Sequence, residues 1–126
     1  MNNKENKFLA IRLVMMPKDA NYMGSIFGGH IMSLIDLAAG EHAKSIKPHK
    51  YVTKIIREIN FISPVFIGDA VSFYTETIKL GKSSITIKVD VEVQRGIERQ
   101  EMLHVTTAEI VMVAVDEKNM PVNLFG

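Results

Sequence analysis

The sequence contains no cysteine, which excludes disulfide bonds, thiolate metal sites and a cysteine nucleophile. Its 126 residues carry a formal net charge of only +1, so charge gives no reason to expect nucleic acid or an anionic membrane as a partner. No apolar run approaches the roughly 20 residues of a membrane span, and the polar N-terminus lacks the apolar core of a signal peptide. We therefore expect a cytoplasmic protein.

Metal-binding and acyl-enzyme motifs are also missing. The sequence has no HxH or HExxH pattern and no serine in a G-x-S-x-G turn. We therefore expect no metal site. Among the four histidines, His42 falls on the apolar side of a predicted helix, and we expect it to be buried and hydrogen-bonded.

Hydrophobic periodicity predicts one helix and about five strands. A strand covers residues 7–16, a turn-rich segment follows, and a helix runs from about Gly29 to about Ser45. Four further strands, joined by short turns, are expected after it: one ending at Pro64, one following Gly68, one over 82–96 and one over 98–116. In the strand over 82–96 the alternation predicts one buried face and one wet face.

This order predicts an α+β domain in which an antiparallel sheet wraps one face of the helix. Residues 1–7 are expected to form a flexible N-terminal tail, and residues 8–126 a single domain.

Asp36 is the one carboxylate in the middle of a mostly apolar helix. A helical projection at 100° per residue places it on a flank of small or apolar residues, away from the core stripe. The stripe comprises Ile31, Leu34, Ile35, Ala38 and His42. Asp36 could simply reach solvent or bond a facing strand. Alternatively, the flank meets a second subunit, and Asp36 lines a cleft where partial burial makes it a useful base.

Two glycines, Gly28 and Gly29, precede the first helical turn. Glycine there allows a ligand to approach the backbone, and the first N–H groups of a helix can stabilise a carbonyl that develops negative charge. The pair could equally do no more than form a tight turn. Gly29 and Asp36 lie about 10 Å apart along one helix. A site that uses both is therefore expected to draw on two chains.

Several motifs together resemble the hotdog-fold acyl-CoA thioesterases of the YciA and brain acyl-CoA hydrolase type. They are MPKDANYMGSIFGGHIMSLIDLAAG at 16–40, VT at 52–53, NFISPVFIGD at 60–69 and GKSSITIKVDV at 81–91. The resemblance implies a five-stranded antiparallel sheet around one long helix. It also implies at least a homodimer, often a trimer of dimers and hence a hexamer. The implied activity is hydrolysis of acyl-CoA to free acid and CoA, without a metal or cofactor.

The resemblance also implies roles for individual residues. Asp36 matches the general base or nucleophile, Asn21 the residue that positions substrate or water from the opposite subunit, and Gly29 the backbone donor to the thioester carbonyl. Residues matched to substrate or CoA binding are Gly28, Thr53, Gly81, Lys82, Ser83 and Ser84.

Two other functions remain open at this point. A hotdog dehydratase acting on 3-hydroxyacyl thioesters needs a histidine with a carboxylate, and His30 with Asp36 could be assigned to those roles. A non-catalytic acyl-CoA-binding protein would bind the same ligand without releasing thiol. The product formed from an acyl-CoA separates the three functions.

Overall fold

The structure is a computed structural model that describes residues 7–99 and 101–126. The flexible tail predicted for residues 1–7 therefore lies, apart from Lys7, outside the described residues. The elements in chain order are β1 (Phe8–Val14), a short 3₁₀ helix (Pro17–Asp19), α1 (Gly28–Ile46), β2 (Lys50–Arg57), β3 (Ala70–Leu80), β4 (Ser84–Arg95) and β5 (Glu101–Val115). No helix within this part of the chain is long and apolar enough to cross a membrane.

The five strands form one antiparallel sheet in the order β1-β3-β4-β5-β2, and α1 packs against one face of it. The predicted α+β class, with a sheet wrapped on one helix, is confirmed. The two edges of the sheet are β1 and β2. Since β2 directly follows α1, the helix lies beside an edge strand along the flank that carries Asp36.

The core lies between α1 and the inner face of the sheet. The alternation predicted for β4 is confirmed on this face, where Ile85, Ile87, Val89, Val91 and Val93 are fully buried. The predicted wet face is wrong at Asp90, which is only 7% exposed on the outer face. Lys7 forms an ion pair with the Asp90 carboxylate, and Thr107 donates a 2.6 Å hydrogen bond to it. These contacts allow the charged side chain to be buried.

The helix buries the stripe that the sequence predicts, with Ile31, Ile35, Ala38 and His42 inside and Leu34 half-buried. His42 is hydrogen-bonded as expected. Its Nδ1 lies 2.8 Å from the hydroxyl of Thr75, and its Nε2 lies 2.7 Å from that of Thr77. The helix is thereby tied to β3 through a polar contact inside an apolar core.

The predicted strand that ends at Pro64 is too long, because β2 ends at Arg57. Glu58 has a φ of 46°, which lies in the left-handed region and interrupts the extended backbone. The prediction that short turns join all four later strands is also wrong. Residues 58–69 form an irregular connection, and they carry the chain from β2, paired with β5 at one edge, to β3.

A buried ion pair fixes the end of this connection. Arg95 on β4 donates from Nε and Nη2 to the two carboxylate oxygens of Asp69, at 3.0 and 2.9 Å, and Asp69 is 2% exposed. The same carboxylate accepts the N–H of Phe66, and Arg95 also donates to the carbonyl oxygen of Pro64. The segment before β3 is thus held against the sheet by charge-assisted hydrogen bonds.

Candidate functional site

Asp36 is partly buried on the flank of α1, where the sequence places it, and Thr53 on β2 is its partner. The Thr53 hydroxyl donates to Oδ1 of Asp36 at 2.5 Å. Ala39 and Ala43 on the same flank are fully buried, so the helix approaches the sheet closely there. Asp36 therefore bonds a facing strand while it remains accessible from outside the chain.

The helix begins at Gly28, one residue before the predicted start. Phe27, at the N-cap, offers no side-chain capping bond, and its carbonyl oxygen accepts the N–H groups of His30 and Ile31. Within residues 7–99 and 101–126, the N–H groups of Gly28 and Gly29 have no acceptor. Both glycines are exposed, so two backbone donors at the positive end of the helix dipole point outward.

Packing within the described residues requires glycine at neither position. A Cβ on Gly28 would lie 3.4 Å from Cε2 of Phe61, at ordinary van der Waals distance from that ring. A Cβ on Gly29 would meet no atom within 4 Å, and Gly29 has no positive φ. The backbone at Gly29 is therefore open to close approach from outside the chain.

Asn21 organises the loop before the helix. Its Oδ1 accepts the N–H of Met23 at 2.9 Å and that of Ser25 at 3.3 Å, and its Nδ2 donates to the Ser25 hydroxyl at 2.9 Å. These bonds form an Asx turn that orients the amide group. An amide nitrogen carries two hydrogens, and among the described residues Nδ2 of Asn21 donates to the Ser25 hydroxyl alone.

Asp19 and His30 join this loop to the helix start. Asp19 is 8% exposed, and its Oδ1 lies 3.5 Å from Nε2 of His30. The N–H of Met16 and the side chain of Lys18 donate to the Asp19 carboxylate and lower its pKa. The sequence singled out His30 but not Asp19, because an acidic residue in a turn gives no sign that the fold buries it.

The turn matched to CoA binding lies between β3 and β4. The N–H of Gly81 donates to the carbonyl oxygen of Ser84 at 2.7 Å, and a Cβ at position 81 would require the Ser84 hydroxyl to rotate away. The carbonyl oxygens of Ser83 and Lys82 accept the N–H groups of Ala114 and Leu124. The backbone is anchored, whereas the Lys82 side chain is exposed.

One chain brings the predicted site residues into three separate groups. Asp36 and Thr53 form the first; Asn21, Gly28 and Gly29 form the second around the helix start. The third is the turn 81–84, whose neighbours in the sheet are Val113 and, one strand further, Val52. It therefore lies beyond Thr53, towards the end of the sheet where β2 starts. The helix start and this turn thus lie on opposite sides of Asp36 along the helix.

The sequence analysis missed a small cavity beside the helix start. It has a volume of about 230 Å³ and is lined by Ser25, Ile26, Gly28, Ile31, Phe61, Ser63, Pro64 and Val65. Its lining residues lie in two of the quoted motifs, 16–40 and 60–69, but neither motif indicates that they enclose a cavity. The cavity forms where the loop before α1, the helix and the β2–β3 connection pack together. Hydrophobic periodicity does not predict contacts between segments that are distant in sequence.

A sheet wrapped around one helix, with a carboxylate on the flank of that helix, is the arrangement implied by the resemblance to hotdog-fold thioesterases. Comparisons with known proteins agree. The sequence matches the Thioesterase superfamily over residues 23–99. An uncharacterized acyl-CoA thioester hydrolase of Haemophilus influenzae is 41% identical over 118 residues, which cover 91% of this chain and 77% of that protein. The acyl-CoA thioester hydrolase YciA of Salmonella typhimurium is 34% identical over 123 residues, 96% of this chain and 92% of the relative.

A solved structure extends this similarity to three dimensions. It is the crystal structure of a hexameric broad-specificity acyl-coenzyme A thioesterase, in a variant with one aspartate changed to alanine. It matches with a TM-score of 0.88 at 38% identity, covering 93% of this chain and 86% of that chain. The chain belongs to the thioesterase superfamily, and the predicted hotdog fold is confirmed.

Proposed function

We infer that this protein is an acyl-CoA thioesterase, which hydrolyses acyl-CoA to a free carboxylic acid and CoA. The observation that carries the inference is the Asp36 carboxylate, which Thr53 holds on the accessible flank of α1. The relatives at 41% and 34% identity are named acyl-CoA thioester hydrolases, and the match to the Salmonella enzyme spans nearly the whole of both chains. A cytoplasmic location is part of this proposal.

In the proposed reaction the thioester carbonyl accepts a hydrogen bond from the N–H of Gly29. Asp36 removes a proton from a water molecule that Asn21 orients, and the water oxygen bonds to the carbonyl carbon. The resulting oxyanion is stabilised by the donor at the helix start. The carbon–sulfur bond then breaks, CoA leaves as a thiolate, and the thiolate takes up a proton. The alternative is attack by Asp36 itself, which gives a mixed anhydride that water then hydrolyses.

The distance along the helix between Gly29 and Asp36 supports a site assembled from two chains. β2 is an edge strand, and both α1 and β2 carry exposed apolar side chains: Met32 and Leu37 on α1, and Val52 and Ile56 on β2. An edge strand of this kind is suited to pairing with a second copy. We place Asp36 of one chain opposite Asn21 and Gly29 of its partner. The proposed assembly is a trimer of dimers, because a relative of 38% identity is hexameric.

The CoA moiety is assigned to the turn 81–84. Its backbone is anchored, and exposed Lys82 supplies a positive charge near a phosphate group. Ser83 and Ser84 supply hydroxyl groups for hydrogen bonds to phosphate or pantetheine. The turn lies beyond Thr53 along the sheet, and its exposed Lys82 suits a nucleotide that stays near the surface.

The test is thiol release from acyl-CoA by the wild-type protein and by Asp36→Asn, with Glu41→Gln as the matched control. Glu41 is an exposed carboxylate on the same helix, and it pairs with Lys44. We expect Asp36→Asn to lower kcat by at least about 100-fold with the oligomer intact, and Glu41→Gln to retain activity. Near-normal activity of Asp36→Asn contradicts the assignment. An enoyl product would indicate a dehydratase, and binding without thiol release would indicate a non-catalytic protein.

Single turnover in ¹⁸O-labelled water tests for nucleophilic attack by Asp36. Label in the Asp36 carboxylate supports nucleophilic attack, because hydrolysis of the anhydride at the aspartyl carbonyl leaves a solvent oxygen on the enzyme. Label found only in the product acid is the outcome of general-base catalysis, and also of an anhydride that water attacks at its acyl carbonyl.

A further inference from the structure

The cavity beside the helix start has rigid apolar walls. Ile26, Ile31 and Val65 line it and are at most 7% exposed, so they belong to the core of the protein. The N–H of Ile26 donates to the carbonyl oxygen of Val65 at 2.7 Å, which joins the loop before α1 to the β2–β3 connection. The two segments are therefore fixed relative to each other without a ligand.

The cavity opens at the residue next to the proposed carbonyl donor. Gly28 lines it, and Gly29, whose N–H is the proposed donor, follows after one helical rise of about 1.5 Å. A thioester whose carbonyl oxygen reaches Gly29 therefore has the cavity within the first bonds of its acyl chain. Apolar walls next to a polar donor suit a carbonyl group that carries a hydrocarbon tail.

Phe61 is the wall that can vary without disturbing the core. Its side chain is 44% exposed, and its ring edge lies 3.4 Å from the position of a Cβ on Gly28. The ring thus closes the cavity against the helix start. The volume of about 230 Å³ exceeds the roughly 150 Å³ that accommodates benzene in an engineered cavity, so it suits an acyl group of short to medium length.

We propose that this cavity receives the acyl chain of the substrate and that Phe61 determines which chain length is preferred. The proposal rests on the proposed function, since it concerns the specificity of that same reaction. Phe61 contacts the acyl chain and takes no part in proton transfer, so its substitution changes which substrate is favoured and leaves the chemical step in place.

The experiment is a thiol-release assay of the assembled protein over straight-chain acyl-CoAs from two to sixteen carbons. Wild type is compared with Phe61→Ala, which enlarges the cavity, and Phe61→Trp, which narrows it. The control is Ile62→Ala, because Ile62 is adjacent, apolar and 69% exposed and does not line the cavity. Oligomer size and melting temperature are measured for every variant, and Phe61→Leu replaces Phe61→Ala if the latter does not assemble.

We expect Phe61→Ala to shift the best substrate towards longer chains and Phe61→Trp towards shorter ones. The ratio of kcat/KM for a long chain to that for a short chain should change by about tenfold in opposite directions. Ile62→Ala should keep the wild-type profile. The proposal is overturned if both Phe61 variants change kcat/KM by the same factor for every chain length. It is also overturned if Ile62→Ala shows the same shift in chain-length preference. Absence of thiol release in the wild type would instead overturn the proposed function.

Discussion

The hydroxyl group of Thr53 donates a hydrogen bond to Oδ1 of Asp36, with 2.5 Å between the two oxygen atoms. The bond joins α1 to the edge strand β2 and fixes the direction of the carboxylate. In the described part of the chain Oδ2 of Asp36 has no hydrogen-bond partner, so this oxygen is the one available to a water molecule or a carbonyl carbon. Thr53 is therefore a positioning residue in the proposed mechanism.

Thr53→Val removes this hydroxyl while it keeps the branched shape that suits a strand. We expect kcat to fall by about tenfold to 100-fold with KM nearly unchanged, because the carboxylate loses its orientation while the CoA contacts remain. Thr53→Ser keeps the hydroxyl and should recover most of the loss. Steady-state kinetics on one acyl-CoA checks this. Equal losses in the valine and serine variants would indicate a packing role for Thr53.

Gly29→Ala separates folding from function at the helix start. A Cβ at position 29 has open space in the chain, so alanine should leave the free energy of unfolding unchanged or raise it by up to about 1 kcal/mol. The same methyl group would stand where the thioester carbonyl approaches. We therefore expect kcat/KM to fall by at least about tenfold in a protein of equal or higher melting temperature. Full activity in Gly29→Ala would remove the argument for close substrate approach at this position.

Periodicity predicted those features that a single segment encodes. The alternation of β4 and the apolar stripe of α1 follow from burial on one face, and both are present. Asp36 stood out because one charged residue interrupts an apolar flank. The predicted end of β2 was wrong because the positive φ of Glu58 interrupts the strand. That φ depends on the path of the chain from β2 to β3, which the local sequence pattern does not contain.

Hydrophobic periodicity could not predict contacts between segments that are distant in sequence. The Thr53–Asp36 bond depends on β2 folding back beside α1, and the cavity of Phe61 depends on three segments meeting. Burial of Asp90 depends on Lys7 and Thr107, which lie on neighbouring segments of the outer face. A sequence shows the chemistry of each such residue, but its partners are determined only by the fold.

His42 predicts how stability changes with pH. Burial lowers the pKa of His42 below the ordinary value of 6.5, which it regains on unfolding. Thr75 donates its hydrogen to the carbonyl oxygen of Phe8, so its oxygen accepts from Nδ1–H of a neutral His42, and Nε2 accepts from Thr77. As the pH falls below about 6.5, the unfolded chain gains a proton on His42 before the folded protein does, and stability declines.

His42→Gln is the matched variant for this prediction, since it has no group that titrates in this range. Urea unfolding at fixed protein concentration from pH 8 to pH 5 should show a smaller decline in the free energy of unfolding for His42→Gln than for wild type. The other histidines contribute equally to both proteins and cancel in the difference. Parallel profiles would indicate that His42 titrates normally in the folded state.

The Arg95–Asp69 pair predicts a strongly non-additive pair of substitutions. Arg95→Met leaves the Asp69 carboxylate, which is 2% exposed, with the N–H of Phe66 as its one remaining donor among the described residues, and an uncompensated buried charge is costly. Because Arg95 is itself partly exposed, we expect a loss of about 2 kcal/mol, below the range for a fully buried pair. Adding Asp69→Asn removes the charge and should restore part of that loss. Urea midpoints of the two single variants and the double variant, at one protein concentration, give the coupling. Simple additivity would mean that the ion pair does not hold the 58–69 connection against β4.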